Sequence, residues 1–515
     1  MAARATTLTV VSGAMPSATL RSAKAKPKVR LRAWMERVLE ECDRAAAGFE
    51  ADPVHDLRVA LRRCRSLADG LMALDADPSW KEMKKTGRKL FRGLGELRDM
   101  QVMQEWIEKL RFAEEGAEPG AADPVAKKLL DHIHAREAEC KMLALKDLNQ
   151  FDRKRWRQWS RTLPGRASRV RPGSAVYLHL ALEKWTDAYE LHKRAIRTRS
   201  QVALHELRIG IKRLRYIVEN FLPQQHARWG DDLKEIQDLL GEVHDLDVLW
   251  ATALAVQAFP DMESRKRWRE KLNHERNRRI ERYREMMIGQ QSLWRTWRAE
   301  LPAGPQLRAA ALGRLRVWAG FLDPDFAHSQ RVAQLSLQLY EGLARAGVLG
   351  HDSAADTRDI LQAAAFMHDV GKIKVQGGHQ KKSYRMIRKL ARPLGWSGRE
   401  LELAAVVARY HRGALPRPRA AAMQALELPD RHLAMQLAGV LRLANALDAR
   451  TGMLPKLEVE LRDRLVIVQS PGYAPLDRAA ESIAAARHLL ETVLRRPVMV
   501  KALRVPGPRT SSANG

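Results

Sequence analysis

From about Lys28 to Ala299 apolar residues recur at three- and four-residue spacing in text rich in Leu, Ala, Glu, Lys and Arg, with little β-branched alternation. That is the period of amphipathic helices, so the region is expected to be all-helical. Its breaks fall at "EEGAEPGAADP" (Glu114 to Pro124) and "TLPGRASRVRPGSA" (Thr162 to Ala175), whose Gly and Pro cannot continue a helix. The second break separates two halves of comparable size, about 28–165 and 175–300. The charged stretch "ESRKRWREKLNHERNRRIERYREMM" predicts an exposed helix with Trp268, Leu272 and Ile280 facing inward. At "LPAGPQ" (Leu301 to Gln306) Pro and Gly mark a domain boundary, and a second unit is expected over 307–505. Near its end the period changes to two: "KLEVELRDRLVIVQSPG" alternates like a hairpin, "LDRAAESIAAARHLLETVL" reads as a helix and "PVMVKALRV" as a strand. The predicted fold class is mainly α: a duplicated helical bundle over 28–300, then an all-α domain with a small C-terminal β-hairpin, helix and strand unit. Residues 1–27 are expected to be a disordered basic leader and 506–515 a disordered tail.

Inside this pattern one short text occurs twice, as "VHDLRVALRRCR" (Val54 to Arg65) and "LHELRIGIKRLR" (Leu204 to Arg215). At helical pitch Arg58, Arg62 and Arg65 fall within about 80° of His55, and Leu57, Ala60, Leu61, Cys64 and Leu67 occupy the opposite face. His205, Arg208, Lys212 and Arg215 take the same angles in the second copy. The correspondence continues downstream, where Gly95, Glu96 and Asp99 of "GLGELRDMQV" match Gly241, Glu242 and Asp245 of "LLGEVHDLDV". Like charges one turn apart cost a few tenths of a kcal/mol per pair. A bound anion offsets that cost, and Arg offers a planar fork for phosphate oxygens. If the halves pack about a pseudo-twofold axis, the two stripes line one channel for a thin, flexible polyanion.

Charge supports this reading. Lys and Arg outnumber Asp and Glu by 90 to 61, a formal net charge of +29, and the excess is divided about equally between the two halves. The partner class is a polyanion: nucleic acid, anionic membrane or phosphate chain. Three scattered cysteines, Cys42, Cys64 and Cys140, form neither a disulfide framework nor a thiolate zinc motif, which fits a reducing cytoplasm. The longest apolar runs fall short of the roughly 18 to 20 residues that span a bilayer, so no membrane span is expected.

The repeated H-x-x-R-x-x-x-[RK]-R-x-R text, with its "LG" and "RD"/"HD" echoes, resembles the CHAD domain, an all-helical repeat family associated with inorganic polyphosphate. Carried over residue by residue, the resemblance implies polyphosphate binding by His55, Arg58, Arg62, Arg63 and Arg65 and by His205, Arg208, Lys212, Arg213 and Arg215. Lys84, Lys85, Arg88, Lys89 and Arg92 in "MKKTGRKLFR" are auxiliary candidates, and the second half has the less basic "DDLKEIQDLL" in their place. Nucleic acid is the less favoured partner, because single-strand binders add aromatic stacking platforms and these stripes carry only Tyr216 at their margin.

The second unit carries the sharpest chemical signal, "AAAFMHDVGK", with His368 and Asp369 adjacent. The same dipeptide occurs at His55, His244 and His351, but only His368 follows an apolar helical run and has candidate ligands on both sides: His328, His379, His411 and Asp448. This ordered set resembles the HD superfamily of metal-dependent phosphohydrolases. "VARYHRGALP", "LRLANALD" and the terminal unit resemble, more narrowly, the C-terminal region of the exopolyphosphatase and guanosine pentaphosphatase family. That family's Gly-rich N-terminal phosphatase module has no counterpart in the text, so its exopolyphosphatase activity is not implied.

Imidazole and carboxylate donors without sulfur suit Mn, Mg, Fe or Zn, one or two ions per chain. His328, His368, Asp369 and Asp448 would hold a first ion, and Asp369 would bridge to a second held by His379 and His411. His368, Asp369 and Lys372 are the catalytic candidates, with Lys372, Arg409 or Arg412 to clamp a phosphate. His351, His432 and His488 lie outside the pattern and are expected to be structural or solvent-facing. The sequence therefore describes a cytoplasmic polyphosphate-binding protein with a metal-dependent phosphohydrolase domain acting on polyphosphate or a related phosphate ester. The alternative is a scaffold on polyphosphate granules with an inert HD fold that serves packing or homodimer formation.

Overall fold

The computed structural model describes residues 30–47, 49–112, 123–349, 355–374, 377–448, 456–471, 473–476 and 478–502. The leader 1–27, the tail 506–515, His351 and most of the Glu114–Pro124 break lie outside the described residues. Among the described residues the fold is mainly α, with one small three-stranded sheet near the C-terminus.

The first half folds as five helices: α1 Leu31–Ala46, α2 Ala51–Met72, α3 Pro78–Phe112, α4 Pro124–Asn149 and α5 Arg153–Ala167. The second half repeats the series as α6 Ala175–Thr198, α7 Gln201–Phe221, α8 Pro223–Ala255, α9 Met262–Met287 and α10 Leu293–Ala299. In each copy the first four helices pack each on the next, and the last returns to the first. The two copies meet where α2 lies on α7 and α3 on α8. Gly70 permits the first of these crossings, because a Cβ there would stand 2.4 Å from Cε2 of Phe221. The apolar faces read from the sequence turn into the core: Leu57, Leu61, Cys64, Leu207, Ile211 and Leu214 are buried.

Local chemistry fixes the helix ends. Asp123 caps α4 by accepting from the N–H groups of Val125 and Ala126, and also accepts from the indole of Trp268 in the other copy at 3.0 Å. Asp75 holds the α2–α3 turn: it accepts from Trp80 Nε1 at 2.8 Å and receives a forked pair from Arg166 at 2.7 and 2.6 Å. The break at Thr162–Ala175 is corrected. Helix α5 runs through Pro164 to Ala167, and the chain turns only at residues 168–174. A proline in the last turn removes one hydrogen bond where few remain to be lost. In α9, Trp268 and Leu272 are buried and Ile280 packs against the core, as the spacing predicts. All three cysteines are buried and unpaired.

The C-terminal unit comprises α11 Gly304–Leu322, α12 Phe326–Arg345, α13 Ala355–Met367, a 3-10 turn Val370–Ile373, α14 His379–Ile387, α15 Gly398–Arg409, α16 Ala421–Gln424 and α17 Leu428–Leu447. The strands β1 Glu458–Arg462 and β2 Leu465–Ser470 form an antiparallel hairpin. Helix α18 Arg478–Leu494 then crosses over to β3 Val498–Ala502, which pairs parallel to β2. The "LPAGPQ" boundary is no free linker. Helix α11 packs on α6, Arg314 pairs with Glu183, and His179 Nε2 lies 2.9 Å from the carbonyl of Leu394. Among the described residues no helix is long and apolar enough to cross a membrane.

Candidate functional site

The seam between the repeats encloses a cavity of about 370 Å3. His55, Arg58 and Arg62 reach it from α2, Arg208 and Lys212 from α7. The two stripes therefore face one space, and five of their ten named residues line it. The downstream echoes complete the wall. Arg98 and Asp99 come from α3, and Asp238, Gly241, Glu242 and Asp245 from α8. Gly95 lets Arg58 lie flat against α3: a Cβ at 95 would already touch its Nη1 at 3.4 Å. Arg58 donates to the Phe91 carbonyl at 3.3 Å, with its guanidinium 4.5 Å from the Phe91 ring centre.

The remaining stripe residues sit elsewhere. Arg65 also lies over Phe91, 4.9 Å from its ring centre, and Arg88 and Arg92 act on it from α3. Arg63 and Arg215 both pair with Glu219: the Arg63 pair ties α2 to α7, and the Arg215 pair lies within α7. Arg213 is exposed, and the ring of His205 lies 4.7 Å from that of His244. Lys84 pairs with Asp69, and Lys89 bonds Gln150 at 2.5 Å on a different face that Lys85 shares.

Electrostatics mark the cavity as short of negative charge despite its acids. Burial, then Arg208 and Arg62, push Lys212 down to about 7. Burial also lowers Arg58 to about 10 and depresses Arg208 against the pull of Asp245 and Asp99. Asp245 rises to about 6 because burial outweighs Arg208. His55 and His205 are lowered, first by burial and then by neighbouring cations, so the cations at neutral pH are Arg and Lys. The sequence reading gave the carboxylates of "RD" and "HD" no role, and it missed Arg98. Their signal was the echo itself.

The second site is built around Asp369, at the end of the turn that follows α13. His379 Nε2 stands 3.0 Å and His411 Nε2 3.7 Å from Oδ1 of Asp369. His368 Nε2 stands 3.4 Å and His328 Nε2 3.8 Å from Oδ2, which also bonds Lys372. His328, His368 and Asp369 form one group, and Asp369, His379 and His411 another, each with ligand atoms within 4.8 Å of one another and all residues buried. The far nitrogens are anchored. Nδ1 of His368 donates to the carbonyl of Ala365 at 2.7 Å, and that of His411 to Ala408 at 2.8 Å. Both Nε2 atoms are thereby directed toward Asp369.

Gly371 makes the turn possible, because a Cβ there would stand 2.3 Å from the carbonyl oxygen of His379. Ser383 locks it by accepting from the Gly371 N–H at 2.9 Å and donating to the His368 carbonyl at 2.7 Å. Asp448 falls outside both groups. It accepts from His328 Nδ1 at 2.6 Å and from Arg331 at 2.8 and 3.0 Å, behind His328. Burial drives the Asp369 carboxyl up, but the histidines, led by His368, hold it far below the usual carboxylate range. Burial, and then His368, keep His411 well below its ordinary value. The donors fit a cation: Nε2 of His368 is fully buried with no hydrogen-bond partner, and the set is nitrogen and oxygen without sulfur. Nearby, Arg409 has a buried Nη1 without a partner, and Arg412 is exposed. His432 and His488 are exposed.

The fold and its two sites define a duplicated cationic bundle joined to a helical domain with a buried His/Asp cluster. The family model for the CHAD domain matches residues 30–255, and that for Ppx/GppA phosphatase, domain III, matches residues 320–462. The chain is a fusion of a CHAD domain with a Ppx/GppA-like domain III. A solved structure, the crystal structure of the CHAD domain from the plant Ricinus communis, is similar at 20% identity with a TM-score of 0.35, covering 54% of this chain and 94% of that one. No curated protein matches the chain. Together the two families indicate a polyphosphate-related function.

Proposed function

We propose that the chain binds inorganic polyphosphate in the cavity between its repeats and hydrolyses a phosphoanhydride or phosphoester at the His/Asp cluster of its C-terminal, HD-type domain. One observation carries the binding half: Arg58 and Arg62 of one copy and Arg208 and Lys212 of the other line a single cavity. A bare phosphate chain presents regularly spaced oxygens and no bases, and it matches forked cations more closely than any ligand that needs stacking surfaces. Burial has already stripped water from these cations, so each charge-assisted contact replaces little hydration.

For the second half, His328, His368 and Asp369 would hold one divalent cation and Asp369, His379 and His411 another. Asp448 orients His328 from behind. An imidazole-rich set suits Zn, Fe or Mn better than Mg. Such ions, when bound, lower the pKa of water and neutralise charge on a phosphoryl group. The chain's own residues do the rest. Lys372 neutralises the Oδ2 side of Asp369, Arg409 and Arg412 stand ready to bind phosphate oxygens, and the buried walls exclude bulk water.

Tethering the polymer in the repeat cavity would raise its local concentration at the cluster. The test is phosphate release from long-chain polyphosphate with Mn or Mg. The His368→Ala, Asp369→Ala variant is expected to abolish release without weakening retention of the polymer. Unchanged release would rule out the cluster. A protein that retains the polymer, takes up no divalent cation and releases nothing is the inert scaffold.

A further inference from the structure

A cavity of about 840 Å3 belongs to neither site. It opens between α6, the link from α9 to α10, and α10 itself. Its origin is an asymmetry between the repeats. Helix α5 has 15 residues to cover α1, whereas its counterpart α10 has seven to cover α6. The shorter helix leaves part of an aromatic surface uncovered. Trp185 and Tyr189 stack with ring centres 4.9 Å apart and 16° between planes, and Trp294 meets both edge-on at 5.8 and 5.5 Å. Ile288, 42% exposed, adds an apolar edge beside Gly289, whose φ of +96° turns the link.

The charge around these rings has one sign. Lys193, Arg197, Arg295 and Arg298 line the cavity, and no Asp or Glu does. Lys193 is engaged by Glu190 at 2.6 Å, Arg295 bonds Gln290, and Arg298 donates to the Leu301 carbonyl at 3.2 Å. Arg197 stands exposed at the rim. His192, at the floor, is bonded to the Tyr283 hydroxyl at 2.7 Å, and burial lowers it to about 4, so the floor is neutral. A bare phosphate chain has no use for such walls, and an uncharged ring has none for such a rim.

We infer that this cavity binds a small aromatic anion, a planar ring bearing phosphate or carboxylate, with the ring against Trp185, Tyr189 and Trp294 and the anion at Arg197 and Arg295. Its volume lies within the roughly 300 to 1,000 Å3 typical of small-molecule sites. The rings supply stacking surface, and the cations supply charge-assisted hydrogen bonds.

Calorimetric titration of the full chain with AMP, GMP and indole-3-acetate separates nucleotide from aromatic carboxylate, with adenosine as the uncharged control. At least one anion is expected to bind with a dissociation constant below about 1 mM. Reversal of the exposed rim in Arg197→Glu, Arg295→Glu should weaken it at least about tenfold. Ile288→Asp should weaken it too, and Arg58→Glu, Arg208→Glu in the repeat seam should not. The inference is overturned if none of the three anions binds by that concentration or if adenosine binds as tightly as AMP. It is equally overturned if binding is lost on reversing the seam rather than the rim.

Discussion

The repeat seam and the His/Asp cluster both bring ionisable groups out of water, and they settle the cost in opposite ways. In the cluster every histidine turns one nitrogen to Asp369, and His368, His411 and His328 tie the other to a carbonyl or to Asp448, so compensation is internal. In the seam Arg58, Arg208 and Lys212 are all depressed, and Lys212 reaches about 7 because burial, then Arg208 and Arg62, outweigh the pull of Asp245. A self-compensated site is built before its ligand arrives. An under-compensated one holds cations disfavoured by burial and by one another, a cost an incoming polyanion would relieve; on the proposed reading, that is what distinguishes a metal centre from a capture surface.

The sharpest way to break the contrast is Asp369→Asn. The cluster would lose its shared anion, and phosphate release should fall at least about 1,000-fold while polymer retention stays within about twofold. Loss of retention instead would mean that the two regions are not separate sites. Next in size, Arg58→Glu with Arg208→Glu should weaken polyphosphate binding about 100-fold near 0.15 M salt and reduce the log–log salt slope by about 0.7 per contact removed. Divalent cation uptake should be unchanged. A smaller effect is expected for Asp448→Asn, which unfixes His328 from behind: roughly tenfold weaker cation binding by competition with a chelator, with the fold intact by circular dichroism.

The smallest effect is the most diagnostic of stored repulsion. Lys212 titrates near 7, so polymer binding should weaken about threefold between pH 6 and 8 as the uncharged form fills, and Lys212→Met should flatten that dependence. The sign for stability is opposite. A lysine lowered from 10.5 to about 7 costs the fold its full penalty below pH 7, and the penalty fades as pH rises toward 10.5. Lys212→Met should therefore raise the melting temperature at pH 6 more than at pH 9, while an equal shift at both would show that Lys212 is not under strain.

Much of this was legible in the sequence because helical periodicity is a local property. The two H-x-x-R copies appear as α2 and α7, their apolar residues are buried, and the seam follows from duplication. What could not be read is which cation faces which neighbour. Arg63 and Arg215 look like any other stripe member until Glu219 stands beside them, and Arg98 is one more arginine until α3 swings it into the cavity. Asp448 is 120 positions from His328 in the chain, and its place behind that ring rather than within a ligand group depends on how α17 ends against α12. The aromatic cavity went unseen for a similar reason. Nothing in the local text sets Trp185 apart from a packing residue, and only the length of α10 relative to α5 uncovers it.

The central claim is that two helices from different repeats make one binding site. Calorimetric titration with a short polyphosphate of defined length, on the wild type and on Arg58→Glu and Arg208→Glu singly, tests it most directly. The account predicts one oligomer per chain, with its affinity lost through either substitution alone. Two oligomers per chain, each lost through only one of the substitutions, would contradict it.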